Sequence, residues 1–279
     1  MKISILVLIS SILISFLFIG SRYEPAKENK KVVYSTFTSE RTLEVGEDLT
    51  YLVRYGFIKL GEIRLKVLAK KTENNKDYYK TIAYIDSYSG VPLVDLHQIY
   101  ESSVSYDYYS DFFRGIVRYE DYSTFTTYKF DYNNRKIYVK KGKIKPYELW
   151  TDSTTSADKR YQDGLSIFYF ARMGFNGEKK YVKAPCYVTE EKVHTSINWY
   201  NKVEKQSIDA VDYDIACLKL DGYTDFKSIF GLTGHFDGWF SNDEASIPII
   251  AHMKVLIGDI TVELKSWKRN GWNPPIYKE

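Results

Sequence analysis

The feature that most constrains this chain is an alternation of apolar and polar residues with a period of two, clearest from Ile249 to Lys265. That period is typical of a β-strand with one buried face. Gly258 and Asp259 interrupt it, and a glycine at the first central position suits a type II′ hairpin turn. The expected cross-strand pairs are Ile257 with Ile260, Val255 with Val262, Met253 with Leu264, and Lys254 with Glu263. Apolar residues then face apolar ones and a lysine faces a glutamate, so alternation and turn predict one register.

Similar alternation runs through most of the chain in short segments separated by turn residues. Residues 47–55 and 62–68 predict a first hairpin, with Gly56 and Gly61 bracketing its turn. The other predicted strands cover residues 78–87, 96–106, 114–119, 122–130, 136–140, 179–189, 192–200, 213–220 and 233–240. Residues 143–157 and 201–210 lack the alternation, and we expect them to be irregular.

A second hairpin is predicted around Asn133 and Asn134, since asparagine tolerates the backbone geometry of a tight turn. The expected pairs are Asp131 with Lys136, Phe130 with Ile137, and Tyr128 with Val139. Charge again faces charge and apolar faces apolar, which supports this register.

One segment, Asp163 to Met173, has helical periodicity. Asp163 is the expected N-cap and Gly174 the expected end. The segment is apolar on nearly every side, so we expect it to lie buried against, or inside, a curved sheet. The predicted fold is therefore all-β and mainly antiparallel: a strongly curved sheet or open half-barrel with one buried helix at about residues 163–173.

Residues 1–21 predict a signal peptide or an N-terminal anchor, because Lys2 precedes a long uncharged apolar run. Cleavage and retention of this segment both remain open, and no cysteine stands where a lipoprotein anchor needs one. We expect an exported protein of the periplasm or cell envelope. A flexible arm (22–41), one β domain (42–268) and a C-terminal tail (269–279) would follow.

No motif predicts catalysis, a cofactor or a metal site. The 39 basic and 36 acidic residues give a net charge of +3, which offers no electrostatic case for nucleic acid. The histidines lack metal-site spacing, and nucleophile-elbow, phosphate-loop and dinucleotide motifs do not occur. Cys186 and Cys217 leave two alternatives open: a disulfide, which export permits, or two buried free thiols.

Three segments resemble a bacterial exported family, the domain-of-unknown-function family 3108. Gly46–Val67 is similar to its opening hairpin, and Asp163–Arg172 (DGLSIFYFAR) to its central D-x-L-S-x-x-Y-x-x-R segment. Gly234–Leu264 is similar to its closing W-x-S-D-D-x-x-x-I-P segment, with Asn242 in place of an acidic residue. The resemblance implies a strongly bent antiparallel sheet, similar to lipoprotein-carrier half-barrels, and an envelope protein without established function.

A bent sheet with an apolar concave face would form a ligand cleft. The candidate ligand-facing residues are Tyr51, Val53, Tyr55, Ile63, Leu65, Met253, Val255, Val262 and Leu264. The opposing interpretation is that these residues fill a core.

Three functions remain open, and each of them is a binding function that needs no catalytic residue. The first is a binding module for an apolar or lipid-like envelope molecule. The second is a structural component of the envelope that binds another envelope protein. The third is a polysaccharide-binding protein, which would need Trp199, Trp239 and Trp267 exposed in a row.

Overall fold

The computed structural model describes residues 43–73, 76–91, 94–105, 107–175, 180–226, 233–254 and 259–278. Within these ranges the chain forms fourteen strands and one helix, α1, at Ser166–Met173. The strands are β1 Asp48–Tyr55, β2 Ile58–Glu73, β3 Lys76–Ser87, β4 His97–Ser105, β5 Ser110–Arg118, β6 Ser123–Asp131, β7 Lys136–Lys143, β8 Glu148–Ser156, β9 Lys180–Val188, β10 Glu191–Gln206, β11 Ile215–Thr224, β12 Gly234–Ser241, β13 Pro248–Lys254 and β14 Asp259–Lys268.

All fourteen strands belong to one antiparallel sheet. Its order is β8-β7-β6-β5-β4-β3-β2-β1-β14-β13-β12-β11-β10-β9. Neighbours in the sheet are therefore neighbours in the chain, except where β1 pairs with β14. The first and last strands lie inside the sheet, and β8 and β9 form its two edges. This confirms the predicted all-β antiparallel architecture.

Within the described residues the sheet stays open because another segment takes the edge of β9. The N–H of Gln162 donates to the carbonyl of Pro185 (2.9 Å), and the N–H of Tyr187 donates to the carbonyl of Gln162 (2.8 Å). These bonds use edge groups that β8 would need to close a barrel. The two ends of the sheet overlap instead, with the Tyr187 ring edge-on to Tyr128 of β6 at 5.0 Å.

Helix α1 begins three residues after Asp163, but that residue still caps it. One carboxylate oxygen of Asp163 accepts the N–H groups of Leu165 and Ser166, both at 2.7 Å. The other accepts the hydroxyls of Ser102 and Ser110, both at 2.5 Å. Burial raises the pKa of Asp163, and the two serine hydroxyls oppose that shift. Asp163 thus fixes the start of the helix to β4 and to the first residue of β5.

Gly174 ends the helix as predicted, for a reason of packing. Its φ of −73° is an ordinary helical value. A Cβ at Gly174 would overlap the indole of Trp199, whose Nε1–H donates to the carbonyl of Ala171 at 2.8 Å. The missing side chain therefore lets β10 cover the end of the helix.

The hairpin of β13 and β14 keeps the predicted faces but not the predicted register. The observed pairs are Ile250 with Glu263, Ala251 with Val262, His252 with Thr261, Met253 with Ile260, and Lys254 with Asp259. Asp259 is thus part of a strand rather than of a two-residue turn. The predicted partners Val255 and Ile257 lie outside the described residues. A slip by an even number of residues leaves each side chain on its expected face, so alternation alone did not exclude it.

The hairpin at Asn133 and Asn134 has all three predicted pairs. In the first hairpin the turn is shorter than predicted, because Gly61 lies within β2. A Cβ at Gly61 would overlap the carbonyl oxygen of Asp86 on β3. Gly61 therefore permits close strand contact and does not bracket the turn.

Two segments predicted to be irregular are strands. β8, within residues 143–157, pairs only with β7 and is largely exposed, so it needs no apolar alternation. β10 continues through residues 201–206, past an irregularity between Trp199 and Val203. Such a bulge shifts the alternation and hides the continuing strand from a periodicity argument.

Candidate functional site

A cavity of about 150 Å³ lies between α1 and the inward face of β1, β2 and β10–β14. Its walls are almost entirely apolar. The helix contributes Ile167, Phe168 and Ala171, and the sheet contributes Leu220 and Phe236 among others. The concave face is therefore neither an empty cleft nor a completely filled core.

Small residues at inward positions leave this space open. Gly238 lies opposite Ala251 on β13, and Ala251 lies opposite Val262 on β14. On β11, a Cβ at Gly222 would overlap the ring of Phe236. Two facing positions in the cavity wall, Gly238 and Ala251, thus carry only a hydrogen and a methyl group, whereas the Phe236 ring fills the space over Gly222.

The nine candidate ligand-facing residues do not all reach the cavity. Those that line it are Tyr51, Ile63, Leu65, Met253 and Val262. Val53 packs against the core and Leu264 is fully buried within it. Tyr55 is half-buried at the end of β1 and is not among the lining residues. Val255 lies outside the described residues. A ligand-binding role for these residues remains a prediction.

No wall residue on α1 or on β12 was named from the sequence. The apolar character of the helix on every side was a usable signal, because such a helix must face something apolar on each side. On β12, Phe236, Gly238 and Phe240 alternate on one face and all line the cavity. That alternation was also readable, but the small residue within it was not recognised as the origin of a void.

Tyr51 is part of the cavity wall. Among the described residues, it has the only buried side-chain hydroxyl that lacks a hydrogen-bond partner. The residue is 3% exposed, and its hydroxyl makes no hydrogen bond to any described residue. Burial raises the pKa of Tyr51 well above its usual value, and the nearby positive charge of Arg172 opposes the shift. A buried hydroxyl without a hydrogen-bond partner costs free energy.

Close to Tyr51 lies a buried ion pair. The guanidinium of Arg172 donates to both carboxylate oxygens of Glu47, at 2.6 and 3.0 Å, and to the carbonyl of Ala245 at 3.0 Å. Arg269 pairs with the same carboxylate. Burial by itself would lower the pKa of Arg172, but the carboxylate of Glu47 raises it above its ordinary value. Arg172 therefore stays charged.

The ion pair joins the three segments that carry the family resemblance. Glu47 belongs to Gly46–Val67, Arg172 to Asp163–Arg172, and Ala245 to Gly234–Leu264. The model of the family described as protein of unknown function (DUF3108) matches residues 50–265, more than half of the chain.

The chain belongs to the DUF3108 family. No curated protein matches the sequence. Two solved structures resemble this DUF3108 chain over 84% of its length. One is the β-barrel-like protein of domain of unknown function DUF1849 from Brucella abortus, with 13% identity, 98% of that chain covered and a TM-score of 0.49. The other, a "putative lipoprotein" from Parabacteroides distasonis, has 12% identity, 99% coverage and a TM-score of 0.34.

The closing segment of this DUF3108 chain shapes a turn. Ser241 donates to Asp243 (2.8 Å), and one oxygen of Asp243 accepts the N–H groups of Ala245 and Ser246. The other oxygen accepts the Trp272 indole N–H at 2.8 Å. The residues of this segment therefore position the carbonyl that Arg172 binds.

The three tryptophans of the polysaccharide hypothesis do not form a row. Trp199 is buried against α1, while Trp239 is half-buried with the Lys219 ammonium 5.2 Å from its ring centroid. Trp267 is half-buried and donates to the carbonyl of Trp272. The structure therefore offers no platform made from this set.

Other candidate chemistry is limited. Across the described ranges, no three His, Cys, Asp or Glu side chains are grouped closely enough to hold a metal ion. Cys186 and Cys217 are free and buried, and burial raises the pKa of each thiol to about 12. No helix in the described part of the chain is long and apolar enough to cross a membrane.

Proposed function

We propose that this chain is an exported cell-envelope protein that binds an apolar, lipid-like molecule in the cavity beside α1. The observation that carries the proposal is a cavity of about 150 Å³ beside α1 whose walls are almost entirely apolar. Export is supported by the predicted signal or anchor at residues 1–21.

The size of the cavity bears on the kind of ligand. An apolar cavity of about 150 Å³ stays dry and accommodates a molecule such as benzene. A complete phospholipid is far larger. The cavity would therefore take the end of one hydrocarbon chain, with the rest of the molecule outside it.

The proposal is tested by filling the cavity. Ala251→Phe would place a ring beside Gly238 and Val262, where the chain end would lie. We expect it to weaken binding of a fluorescent long-chain fatty acid at least about tenfold, since the ligand would have to displace a ring. Lipid extraction and mass spectrometry of protein purified from its native host should show bound lipid, and less of it in the variant.

The matched control is Thr261→Phe. Thr261 is next to Val262 on β14 and therefore points to the opposite face of the sheet. It should leave fatty-acid binding unchanged. The proposal is wrong if the unsubstituted chain binds no fatty acid and carries no lipid, or if both substitutions weaken binding equally.

A further inference from the structure

The outer edge of β8 carries backbone groups that no other described strand uses. β8 ends the sheet, and within the described ranges it pairs with β7 alone. At the other end of the sheet, Gln162 bonds to Pro185 and Tyr187 and so covers part of the edge of β9. No described segment bonds to the outer edge of β8 in this way. Unpaired N–H and C=O groups at a strand edge form a template for another strand.

Most of this edge also lacks the features that commonly prevent such pairing, which include prolines, lysines and bulges. One bulge lies at Trp150, which the pairing of β8 with β7 skips. Beyond the bulge, Thr151–Ser156 pairs regularly with β7 and contains neither proline nor lysine. We name these six residues the β8 edge segment.

The β8 edge segment contributes nothing to the core, because none of its residues is buried. Its only charge is Asp152, whose carboxylate already pairs with the ammonium of Lys140 at 3.5 Å. The other five side chains carry hydroxyl groups. A partner strand would therefore meet an accessible edge with hydroxyl side chains and one carboxylate that is already paired.

The side chains of the β8 edge segment alternate between two faces. Ser153 and Thr155 lie opposite Val139 and Ile137 of β7, and these two β7 residues are buried on the inward face. Thr151 shares that face because it precedes Ser153 by two residues, and the residues in between point outward.

The β8 edge segment is complementary to a second copy of itself. A twofold axis through Ser153 gives an antiparallel pair in which the inward faces of both copies stay on one side. The opposite residues are then Ser153 with Ser153, Thr151 with Thr155, and Asp152 with Thr154. Hydroxyl pairs of this kind stabilise antiparallel strands. No carboxylate faces another carboxylate in this register.

Neighbouring registers are less favourable. An axis through Asp152 would set two carboxylates directly opposite each other, which destabilises a strand pair. An axis nearer the bulge would include a residue that is out of register. An axis through Thr154 would include Ser156, whose hydroxyl already accepts a hydrogen bond from the ammonium of Lys192 at 2.9 Å. The register centred on Ser153 avoids these conflicts.

We infer that two copies of this chain pair antiparallel through residues 151–155 of β8, so that their two sheets become continuous. The inference goes beyond the proposed function and does not depend on it, because no residue of β8 lines the cavity. The folded chain alone should associate, without ligand, lipid or another protein.

Cross-linking through introduced thiols tests the register. Cys186 and Cys217 are buried, so a cysteine placed in β8 of the full chain would be the accessible thiol, with the unsubstituted chain as the blank. In Ser153→Cys the two introduced residues lie opposite each other, with Cβ atoms about 5 Å apart. In the matched variants Thr151→Cys and Thr155→Cys they lie about 14 Å apart, because four residues of a strand separate them.

A cross-linker too short to span four residues of a strand should join two copies of Ser153→Cys and leave both matched variants as monomers. Equal cross-linking at the three positions would indicate association through another part of the chain and would overturn the inference. Sedimentation of the unsubstituted chain as a monomer, at the concentration used for cross-linking, would overturn it as well.

Charged substitutions at the axis give a second measurement. Ser153→Asp and Ser153→Lys each set like charges opposite each other, so each variant alone should self-associate about fivefold more weakly than the unsubstituted chain. Ser153 is exposed, so both variants should fold normally. A mixture of the two sets opposite charges together and should recover the lost association. A mixture that stays as weak as its components would contradict a twofold pairing at this residue.

Fatty-acid binding distinguishes this inference from the proposed function. All the β8 variants should bind fatty acid as the unsubstituted chain does, because β8 lies outside the cavity wall. Pairing through β8 without fatty-acid binding would refute the cavity function alone. Fatty-acid binding by a chain that stays monomeric would refute the β8 pairing alone.

Discussion

The β3–β7 half of the sheet and the β10–β14 half are built from similar hairpins, yet their inward faces differ. In the first half, Tyr100, Phe113 and Tyr128 stack across adjacent strands, with ring centroids 5.9 and 5.3 Å apart. In the second, Gly238 and Ala251 occupy facing inward positions. One half is filled by rings from its own strands, and the other relies on α1 and still leaves a cavity.

The curvature of the sheet does not decide between a core and a cleft. Both halves curve around the same helix, and both alternate apolar and polar residues. The size of the inward side chains makes the difference, because protein interiors otherwise fill to the density of organic crystals. A void of about 150 Å³ nevertheless persists beside this packed half.

The two halves meet where Glu47 and Arg172 form their buried pair. Glu47 precedes β1 and its backbone bonds to Val67 of β2, while Arg172 holds the carbonyl of Ala245 between β12 and β13. Breaking this junction should affect both halves, whereas changes within one half should remain local.

The largest effect is expected from Glu47→Gln. It would leave the buried Arg172 without its compensating charge, and removing one partner of a buried pair costs about 3–5 kcal/mol. Urea unfolding followed by circular dichroism would measure the loss. Asp48→Asn is the control, since Asp48 pairs with Arg64 near the surface and should cost about 1 kcal/mol or less. Equal costs for the two variants would contradict a common junction.

The next effect compares the halves directly. Phe113→Ala in the ring-filled half should cost about 3–5 kcal/mol, because it opens a cavity among stacked rings. Phe236→Ala in the cavity half should cost less, about 1–2 kcal/mol, because Phe236 is half-buried and already borders the void. The difference in unfolding free energy is measured from the denaturant midpoints of the two variants, whose m-values should be equal. A larger loss at Phe236 would mean that the cavity half is the better packed one.

Much of the sheet could be predicted from the sequence, because a strand with one buried and one solvent-exposed face alternates apolar and polar residues. The Asn133 hairpin formed with the predicted charge pair and apolar pairs, because its turn is centred on the two asparagines. The β13–β14 hairpin was ambiguous, since any even slip preserves its faces. β8 could not be predicted from alternation, because a largely exposed edge strand needs no buried apolar face.

The candidate site was less predictable because it depends on contacts between distant segments. Tyr51 and Val262 could be placed on the inward face by their alternation alone. The pairing of Arg172 with Glu47 spans 125 residues, and no local pattern encodes it. A charged residue on a helix that is otherwise apolar was the one available clue, since such a charge must find a partner when buried.

The smallest effect concerns alkaline pH and Tyr187 of β9, whose ring packs edge-on against Tyr128 and Phe130 of the ring-filled half. Burial, helped by the Glu190 carboxylate, raises the pKa of Tyr187 to about 12, above its ordinary value near 10. The unfolded chain therefore loses this proton first, and stability is lost as pH rises from about 10 through 12. Tyr187→Phe removes that linkage, so at pH 11 the unsubstituted chain should lose about 1 kcal/mol more than the variant, relative to pH 8.

Urea unfolding at pH 8 and pH 11 measures this difference, and Tyr223→Phe provides the control in the cavity half. Tyr223 is 44% exposed, and we expect the Tyr223→Phe variant to behave like the unsubstituted chain at both pH values. If the two variants respond equally to pH, the alkaline loss does not arise from the buried rings. The packing contrast between the halves would then lack a consequence for stability at high pH, although the cavity itself would be unaffected.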